Sequence, residues 1–286
     1  MVISVVQLGT VDYATGLRLQ AELIAGRKDD LIPDTLLLLE HKPVITLGRN
    51  AKQQNIVVSR ELLEEKGVEL FETDRGGDVT FHGPGQLVGY PIFDLHGFPT
   101  SGGTSLKYLG AVDYVRKLEE VLIRTNLEYG VPTKRIKGLT GVWTDWQHAS
   151  SHLSISSSDH QTGKTKDGKM SRGEDSKIAA IGVHISRSVT SHGFALNVNT
   201  DLDYFKLIVP CGIADKPVTS LEQQLGRPLD LEEVAQCVSR NFGRVFDRQM
   251  LPVNTVDELL GRTIGVPVKE PPELRQVRGS GDISLA

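Results

Sequence analysis

The sequence holds two cysteines, and only one of them lies in surroundings that suit a nucleophile. Cys211 stands between Pro210 and Gly212, which indicates a tight turn whose following amide can approach a reacting oxygen. Cys237 lies in the helical pattern 234–238, where a free cysteine usually packs as a small apolar residue. Two cysteines are too few for a disulfide framework, which favours a reducing compartment. We therefore predict that Cys211 is a catalytic thiol.

A lysine opens an apolar run upstream of this turn. Lys177 precedes residues 178–182, which read IAAIG and are typical of a buried strand. Because lysine is rarely buried without a partner, the position suits either a strand-end lysine that reaches solvent or an ammonium group that serves chemistry. A second strand pattern runs from His192 to Asn197. An ammonium group close to Cys211 would favour the thiolate over the thiol, whose ordinary pKa is about 8.5.

A glycine-rich segment from Arg75 to Gln86 reads RGGDVTFHGPGQ. Its glycines allow backbone amides to come close to a ligand, and the arginine, threonine, histidine and glutamine between them can all form hydrogen bonds. On spacing alone the segment could equally be a turn that joins two strands. It has neither the G-x-x-x-x-G-K-[ST] nor the G-x-G-x-x-G pattern of a phosphate-binding loop.

The elements that must position these residues show no regular alternation of strand and helix, which predicts an α+β fold rather than a doubly wound sheet. Strands are predicted at 2–6, 36–40, 44–47, 178–185 and 194–198, and helices at 11–27, 59–66, 105–127 and 231–246. Ser59 and Asp230 are predicted helix caps. The longest helix is expected to bury one apolar side, formed by Leu109, Val112, Val115, Leu118, Val121 and Leu122.

The bulk properties are those of an ordinary globular protein. The chain has 286 residues, of which 39% are hydrophobic and 24% charged, and this length suits one large domain or two small ones. The net charge of −4 gives no support to a nucleic-acid binder. No apolar run reaches the ~18–20 residues of a membrane span, and the N-terminus does not resemble a signal peptide. We expect a cytoplasmic protein with no membrane partner.

The predicted catalytic domain covers residues 1–250. Within it, 147–176 is rich in Ser, Lys, Asp and His, which predicts a flexible polar insertion. His148 and His152 lie four residues apart there, but no cysteine or carboxylate has matching spacing, so we predict a solvated loop and no metal site. Residues 251–286 are predicted to be a partly disordered C-terminal extension.

Taken together, these segments closely resemble the lipoyl(octanoyl)transferases. The family's R-G-G-x-x-T-[aromatic]-H-x-P-G-Q block is matched at 75–86, K-I-x-x-[IL]-G at 177–182, H-G-x-A-L-N at 192–197 and P-C-G at 210–212. The segment LEHKPVITLG at 39–48 is similar to the N-terminal strand pair of the family. The resemblance covers about 2–246, apart from the polar insertion, and four motifs in the same order are a specific signal.

The resemblance implies the α+β, mixed-sheet catalytic domain that is shared with biotin and lipoate protein ligases. It implies that Cys211 takes the octanoyl group as a thioester and that Lys177 favours its thiolate. No metal or other cofactor is expected. The acyl pocket would be formed by Arg75, Gly76, Gly77, Asp78, Val79, Thr80, Phe81, His82, Ala180, Ile181, Gly182, Gly193, Phe194 and Ala195.

The implied reaction carries an octanoyl or lipoyl group from acyl carrier protein to a lysine of a lipoyl domain, the first step of endogenous protein lipoylation. The expected partners are octanoyl-acyl carrier protein and the lipoyl domains of 2-oxoacid dehydrogenases and the glycine cleavage H protein, and a monomer is expected. Exchange of one thioester for another is nearly thermoneutral and aminolysis runs downhill, so no ATP is required. Because the attacking lysine has an ordinary pKa of about 10.4, a base must take its proton. Lys177 is the candidate, with His82 or His192 as alternatives.

Three other functions remain open at this point. An ATP-dependent lipoate or biotin ligase of the same fold would not need Cys211, and would form an acyl-adenylate from ATP and free octanoate. A cysteine hydrolase that uses Cys211 and His192 would release free acid from thioesters. A non-catalytic binding module would form no covalent acyl adduct on Cys211.

Overall fold

The computed structural model of the protein describes residues 1–100, 107–145, 174–210 and 216–262. The strands are β1 (Val2–Val11), β2 (Thr35–His41), β3 (Val44–Leu47), β4 (Glu69–Glu72), β5 (Val79–His82), β6 (Gln86–Ile92), β7 (Pro99–Thr100), β8 (Lys107–Tyr108), β9 (Thr133–Ile136), β10 (Leu139–Thr144), β11 (Lys177–Ser186), β12 (Val189–Asn197) and β13 (Gln249–Pro252). The α-helices are α1 (Tyr13–Lys28), α2 (Arg60–Glu65), α3 (Ala111–Glu128), α4 (Leu221–Leu225), α5 (Leu231–Phe246) and α6 (Val256–Leu259).

The strands form a large mixed sheet and a small one. The eight-stranded sheet has the order β13-β1-β2-β6-β12-β11-β10-β9, and the three-stranded sheet has the order β4-β3-β5. In the large sheet β1 runs parallel to β13 and β2, whereas the other neighbouring strands are antiparallel. The predicted α+β class with a mixed sheet is therefore confirmed.

The large sheet is covered on both faces by helices. In β2, Leu36 and Leu38 face the core under α3 and α5, while Leu37 and Leu39 face the core under α1. Successive strand residues point to opposite faces, so an uninterrupted run of four leucines is what a strand buried on both sides requires. The strands β6 and β12, which lie at the centre of this sheet, are held between these two apolar layers.

The predicted helix starts are correct at two caps and wrong at the longest helix. Ser59 Oγ accepts the Leu62 amide proton before α2, and Asp230 caps α5. The helix predicted from 105 begins only at Ala111, after the short strand β8. Val112, predicted to be buried, is 72% exposed, and Tyr114 faces the core instead. Residues 112 and 114 lie about 200° apart around the helix axis, so Val112 points away from the core.

Part of the predicted C-terminal extension belongs to the ordered fold. Strand β13 pairs with β1 and crosses the expected boundary at residue 250, and Val256 of α6 is buried in the core under α1. Residues 263–286 lie outside the described residues. So does nearly all of the predicted insertion, with His148 and His152, and of it only residues 174–176 are described. No helix in the described ranges has the length and apolar character needed to cross a membrane.

Candidate active site

The predicted segments meet in a cleft between the two sheets. The glycine-rich segment leads into β5 of the small sheet, and β11 and β12 lie near the middle of the large sheet. Gly76 N donates a hydrogen bond of 3.0 Å to Val183 O, which ties the loop to β11 across the cleft. The cleft has a volume of about 480 Å³. It is lined by Tyr13, Arg75, Gly76, Gly77, Asp78, Thr80, His82, Val88, Tyr90, Ala180, Ile181, Gly182, His192, Gly193, Phe194 and Ala195.

All of the predicted pocket residues line this cleft except Val79 and Phe81. Thr80 and His82 point into the cleft, whereas Val79 and Phe81 are fully buried in an apolar cluster with Leu207 on the other side of β5. The cause is the two-residue repeat of a strand, which sends alternate side chains to opposite faces. Val79 and Phe81 therefore support the strand and do not form the wall of the cleft.

Arg75 forms part of the cleft wall and braces it. Its guanidinium donates to Thr46 O at 2.6 Å, to Thr46 Oγ1 at 2.8 Å and to Asp78 O at 2.7 Å, so it holds the loop against β3. Gly48 leaves room for this packing, because a Cβ there would lie 2.4 Å from Gly77 O. Since these contacts are to protein oxygens, the main observed role of Arg75 is to shape the loop.

Lys177 is held at the start of β11, as the sequence indicated. Its backbone N donates to Pro217 O at 2.8 Å and its O accepts from Thr219 N at 2.9 Å. The side chain is only 8% exposed, and Nζ lies 5.0 Å from the ring centre of Trp143, within the range of a cation–π contact. Gly141 has φ +118°, and a Cβ on it would lie 2.9 Å from Lys177 Cε, so glycine leaves the space that the lysine stem occupies.

A smaller cavity adjoins the cleft at Lys177. Lys177 and Pro210 both line it, and Thr80, Ala180 and Ala195 line both this cavity and the cleft. The rest of its wall consists of Gln86, Asn197, Phe205 and Val218. Pro210 directly precedes Cys211, which itself lies outside the described residues. The cavity at Lys177 and the cleft therefore share part of their walls.

Two neutral histidines stand on the cleft side of the small sheet and β2. Burial lowers the pKa of His82 to about 3 and that of His41 to about 4. His82 Nδ1 lies 2.7 Å from Gln86 Oε1, and His41 Nε2 lies 2.6 Å from Tyr90 Oη. Neither ring is charged at neutral pH, because water cannot solvate an imidazolium there.

A third histidine links β12 to the glycine-rich loop. His192 Nε2 lies 2.7 Å from Asp74 Oδ1, the other oxygen of Asp74 contacts His184, and His192 N donates to Gln20 Oε1 at 2.8 Å. The hydrogen bond from His192 holds the pKa of Asp74 well below its usual range. Burial lowers the pKa of His192, although Asp74 opposes this shift. This bridge closes one end of the cleft.

Four cleft residues were not among the predicted pocket residues, and one of them, His192 of β12, had been considered only as an alternative base. Tyr13 comes from α1, and Val88 and Tyr90 come from β6. A signal for Tyr90 was present, because it lies an even number of residues from Gln86 in the strand that follows the glycine-rich segment. No local pattern marked Tyr13, which reaches the site only because α1 packs beneath β6 and β12.

Comparison with known proteins identifies relatives along nearly the whole chain. Residues 12–243 match the family model of the lipoyl protein ligase A/B catalytic domain. An octanoyltransferase of Koribacter versatilis is 54% identical over 275 residues, which is 96% of this chain and 96% of the relative. An octanoyltransferase of Acidobacterium capsulatum is 51% identical and covers 91% of this chain and 96% of its own.

Solved structures support the fold. A lipoate-protein ligase A bound with ATP matches with a TM-score of 0.59 and 13% identity, and covers 91% of this chain and 92% of its own. A bi-partite lipoate protein ligase from Thermoplasma acidophilum, described with its E2 lipoyl domain, matches with a TM-score of 0.60, 14% identity and coverage of 91% and 90%. At these identities the likeness concerns the architecture of the two sheets.

Proposed function

This chain belongs to the lipoyl protein ligase A/B catalytic domain family, and we propose that it is an octanoyltransferase that carries the acyl group on Cys211. It transfers octanoyl groups for protein lipoylation, the activity for which the relatives at 54% and 51% identity are named. As an acyltransferase it takes the acyl group from an acyl carrier protein and delivers it to a lipoyl domain. The participation of individual residues is the proposal developed below.

The observation that carries the proposal is the position of Pro210 beside Lys177. Both residues line the same small cavity, and consecutive Cα atoms are about 3.8 Å apart, so Cys211 begins one residue from this cavity. The ammonium group of Lys177 stabilises a nearby thiolate and lowers the pKa of the Cys211 thiol below the ordinary ~8.5. A larger fraction of Cys211 is then nucleophilic at neutral pH.

In the first half-reaction the Cys211 thiolate attacks the carbonyl carbon of the octanoyl thioester. A new C–S bond forms, the carbon–oxygen double bond passes through an oxyanion, and the carrier thiolate leaves with the proton of the Lys177 ammonium group, which becomes a neutral amine. Backbone amides at the Cys211-Gly212 turn are the proposed donors to the oxyanion. One thioester replaces another, so the step needs no nucleotide.

The cleft is the proposed site of the octanoyl chain. Because Thr80, Ala180 and Ala195 line both the cavity at Lys177 and the cleft, a chain attached to Cys211 can extend from one into the other. Small side chains at 180 and 195 leave this passage open. Each buried methylene contributes about 0.8 kcal/mol, which is enough to hold and orient an eight-carbon tail.

In the second half-reaction the acceptor lysine attacks the Cys211 thioester, an amide bond forms, and the Cys211 thiolate leaves. Lys177 is the proposed base that takes the proton from the attacking amine. His82 and His192 are poorer candidates, because burial lowers both pKa values and a weakly basic imidazole holds a proton badly at neutral pH. We propose that the acceptors are the lipoyl domains of 2-oxoacid dehydrogenases and the glycine cleavage H protein.

A transfer assay without ATP tests the function. Octanoyl-acyl carrier protein and a lipoyl domain are mixed with the protein, and the mass of the lipoyl domain is followed. The expected result is a lipoyl domain that gains one octanoyl group without ATP. Transfer that requires ATP and free octanoate would instead identify the ligase alternative, and release of free octanoate without transfer would identify the hydrolase.

A further inference from the structure

The polar groups behind His82 form a hydrogen-bond relay that runs in one direction. Gln86 Nε2 donates to Phe81 O at 3.1 Å and to Asn197 Oδ1 at 2.9 Å. Asn197 Nδ2 in turn donates to Thr219 O at 2.9 Å. Backbone carbonyls only accept, so each amide can face its neighbours in one orientation alone. The remaining atom of the Gln86 amide, Oε1, therefore faces His82 as an acceptor.

The relay determines the tautomer of His82. Because Gln86 Oε1 accepts, Nδ1 of His82 must carry a proton. Burial keeps the pKa of this ring at about 3, so the neutral imidazole holds only that one proton. Nε2 is left as a bare acceptor, and within the described ranges it makes no hydrogen bond. His82 itself lines the cleft.

A second chain of hydrogen bonds, from Tyr90 through His41 to Val11 O, also has a fixed direction. His41 Nδ1 lies 3.0 Å from Val11 O and must donate to it, so the neutral ring can only accept at Nε2. The Tyr90 hydroxyl donates its proton to this Nε2 at 2.6 Å and keeps its lone pairs as acceptors. Tyr90 and His82 both line the cleft. His82 therefore offers a hydrogen-bond acceptor in the wall, and the Tyr90 hydroxyl has already given its one proton to His41.

Acceptors in the wall require a donor in the ligand. Of the groups that react, the acyl thioester has no N–H or O–H, whereas the attacking lysine amine has several N–H bonds. The amides of Gln86 and Asn197 also line the cavity that holds Lys177, so the relay borders the place where the amine must lose its proton. The wall at His82 therefore fits the amine of the second substrate, whereas the apolar part of the cleft, at Val88, Ile181 and Phe194, fits the octanoyl chain.

We propose that Gln86 and Asn197 are positioning residues that hold His82 in its Nδ1–H tautomer, so that Nε2 accepts a hydrogen bond from the attacking lysine amine. The inference rests on the proposed acyl transfer through Cys211. The hydrogen bond orients the amine toward the thioester carbon, and Lys177 takes the proton. This hydrogen bond acts when the acyl group leaves Cys211 for the acceptor lysine (discharge). It plays no part when Cys211 takes up the acyl group (loading).

The test separates loading from discharge in the full-length protein. Loading is followed by intact mass with octanoyl-acyl carrier protein, and discharge by single turnover of the loaded enzyme with a lipoyl domain. Gln86→Leu should load within about threefold of wild type and discharge ~10- to 100-fold more slowly, the effect of one or two lost hydrogen bonds in a closed site. Asn241→Leu, which removes a fully buried amide in α5, is the matched control and should change neither tautomer nor discharge.

The tautomer of His82 is read separately by ¹⁵N NMR of the imidazole. Wild type should show Nδ1–H, and Gln86→Leu should show a substantial fraction of Nε2–H. Gln86→Glu keeps an acceptor at Nδ1 but no longer donates to Phe81 O and Asn197 Oδ1, so it should retain the wild-type tautomer and restore discharge in part at high pH. Its carboxylate raises the pKa of His82, so the acid limb of discharge should move to higher pH as Nε2 becomes protonated. The charged and titratable groups around His82 that could also contribute are Tyr13, His41, Arg75 and His192.

Three results would overturn the inference. One is Nε2–H on His82 in wild type, another is normal discharge by Gln86→Leu, and the third is equal slowing of loading and discharge, which a merely structural role would cause. If Gln86→Leu does not fold, the isosteric Gln86→Glu provides the test. The measured quantities are then the tautomer of His82 and the acid limb of the pH profile of discharge. Failure of the wild type to form any acyl-enzyme would contradict the proposed function instead, and the NMR result stands apart from it.

Discussion

The surroundings of Cys237 and those of Pro210, the residue before Cys211, contain side chains of opposite charge, Glu128 in the first and Lys177 in the second. Cys237 is 1% exposed in α5, and its thiol donates to Glu128 Oε2 at 3.2 Å. Burial, reinforced by the Glu128 carboxylate, raises the pKa of Cys237 to about 11. Pro210, the residue before Cys211 in the sequence, lines the same cavity as Lys177. Reactivity of a thiol depends on such neighbours, so we propose that Cys211, and not Cys237, is the nucleophile at neutral pH.

The largest expected effect on octanoyl transfer comes from replacing each cysteine in turn by serine. Cys211→Ser should lower octanoyl transfer by ~10³-fold or more, because a serine alkoxide is much harder to generate than a thiolate. Cys237→Ser should keep transfer within about threefold of wild type. Single-turnover transfer and the thermal midpoint are measured for both variants. Near-normal transfer by a folded Cys211→Ser variant would show that Cys211 is not the nucleophile.

Lys177→Ala tests the ammonium group, with the next largest effect. Without the positive charge the pKa of Cys211 should rise toward the ordinary ~8.5, so transfer at neutral pH should fall ~10- to 100-fold. Raising the pH should restore part of the loading step, because thiolate then forms unaided. Discharge should recover less, since the proposed base is also missing. Alkylation by iodoacetamide across pH measures the thiol alone, and identical profiles for the variant and wild type would show that the two groups are not coupled.

Gly141→Ala sharpens the same point with a smaller change. The new Cβ would lie 2.6 Å from Ala179 O and 2.9 Å from Lys177 Cε and would also force alanine to adopt φ +118°, so the start of β11 and the lysine stem must both shift. Transfer should fall several-fold, less than in Lys177→Ala, and stability should decrease by ~1–3 kcal/mol. Gly138→Ala, at φ +83° with open space around its Cβ position, is the control for backbone strain. Equal transfer by both variants would show that the room Gly141 leaves for the Lys177 side chain does not matter for transfer.

Glu128→Gln tests the other cysteine and should leave transfer unchanged. Loss of the carboxylate should lower the pKa of Cys237 from about 11, since burial alone then raises it. Thiolate absorbance near 240 nm in a Cys211→Ser background follows this titration. A pKa that does not move would show that burial accounts for the whole effect, and the contrast between the two regions would then be one of exposure.

The local features of the site were predictable from the sequence, and the long-range ones were not. The strand that starts at Lys177 and the caps at Ser59 and Asp230 follow from short-range patterns. Val79 and Phe81 were assigned to the pocket because a motif was taken as a block, although strand alternation already places them on the opposite face from Thr80.

The missed features depend on contacts between distant parts of the chain. Tyr13 reaches the cleft because α1 packs against β6 and β12, and Gln86 meets Asn197 because those strands are neighbours 111 residues apart in sequence. Strand β13 joins β1 across almost the whole chain. Pairing of this kind is decided by the global packing of the sheet, so no local window of the sequence contains it.

The measurement that tests the central claim most directly is the intact mass of the protein after mixing with octanoyl-acyl carrier protein alone. Covalent catalysis at Cys211 predicts a single octanoyl adduct that maps to Cys211 and is removed by hydroxylamine, as a thioester is. The adduct should disappear when a lipoyl domain is added, and that domain should gain the same mass. An absent adduct, or one that maps to Cys237 or to a lysine, would contradict catalysis through Cys211.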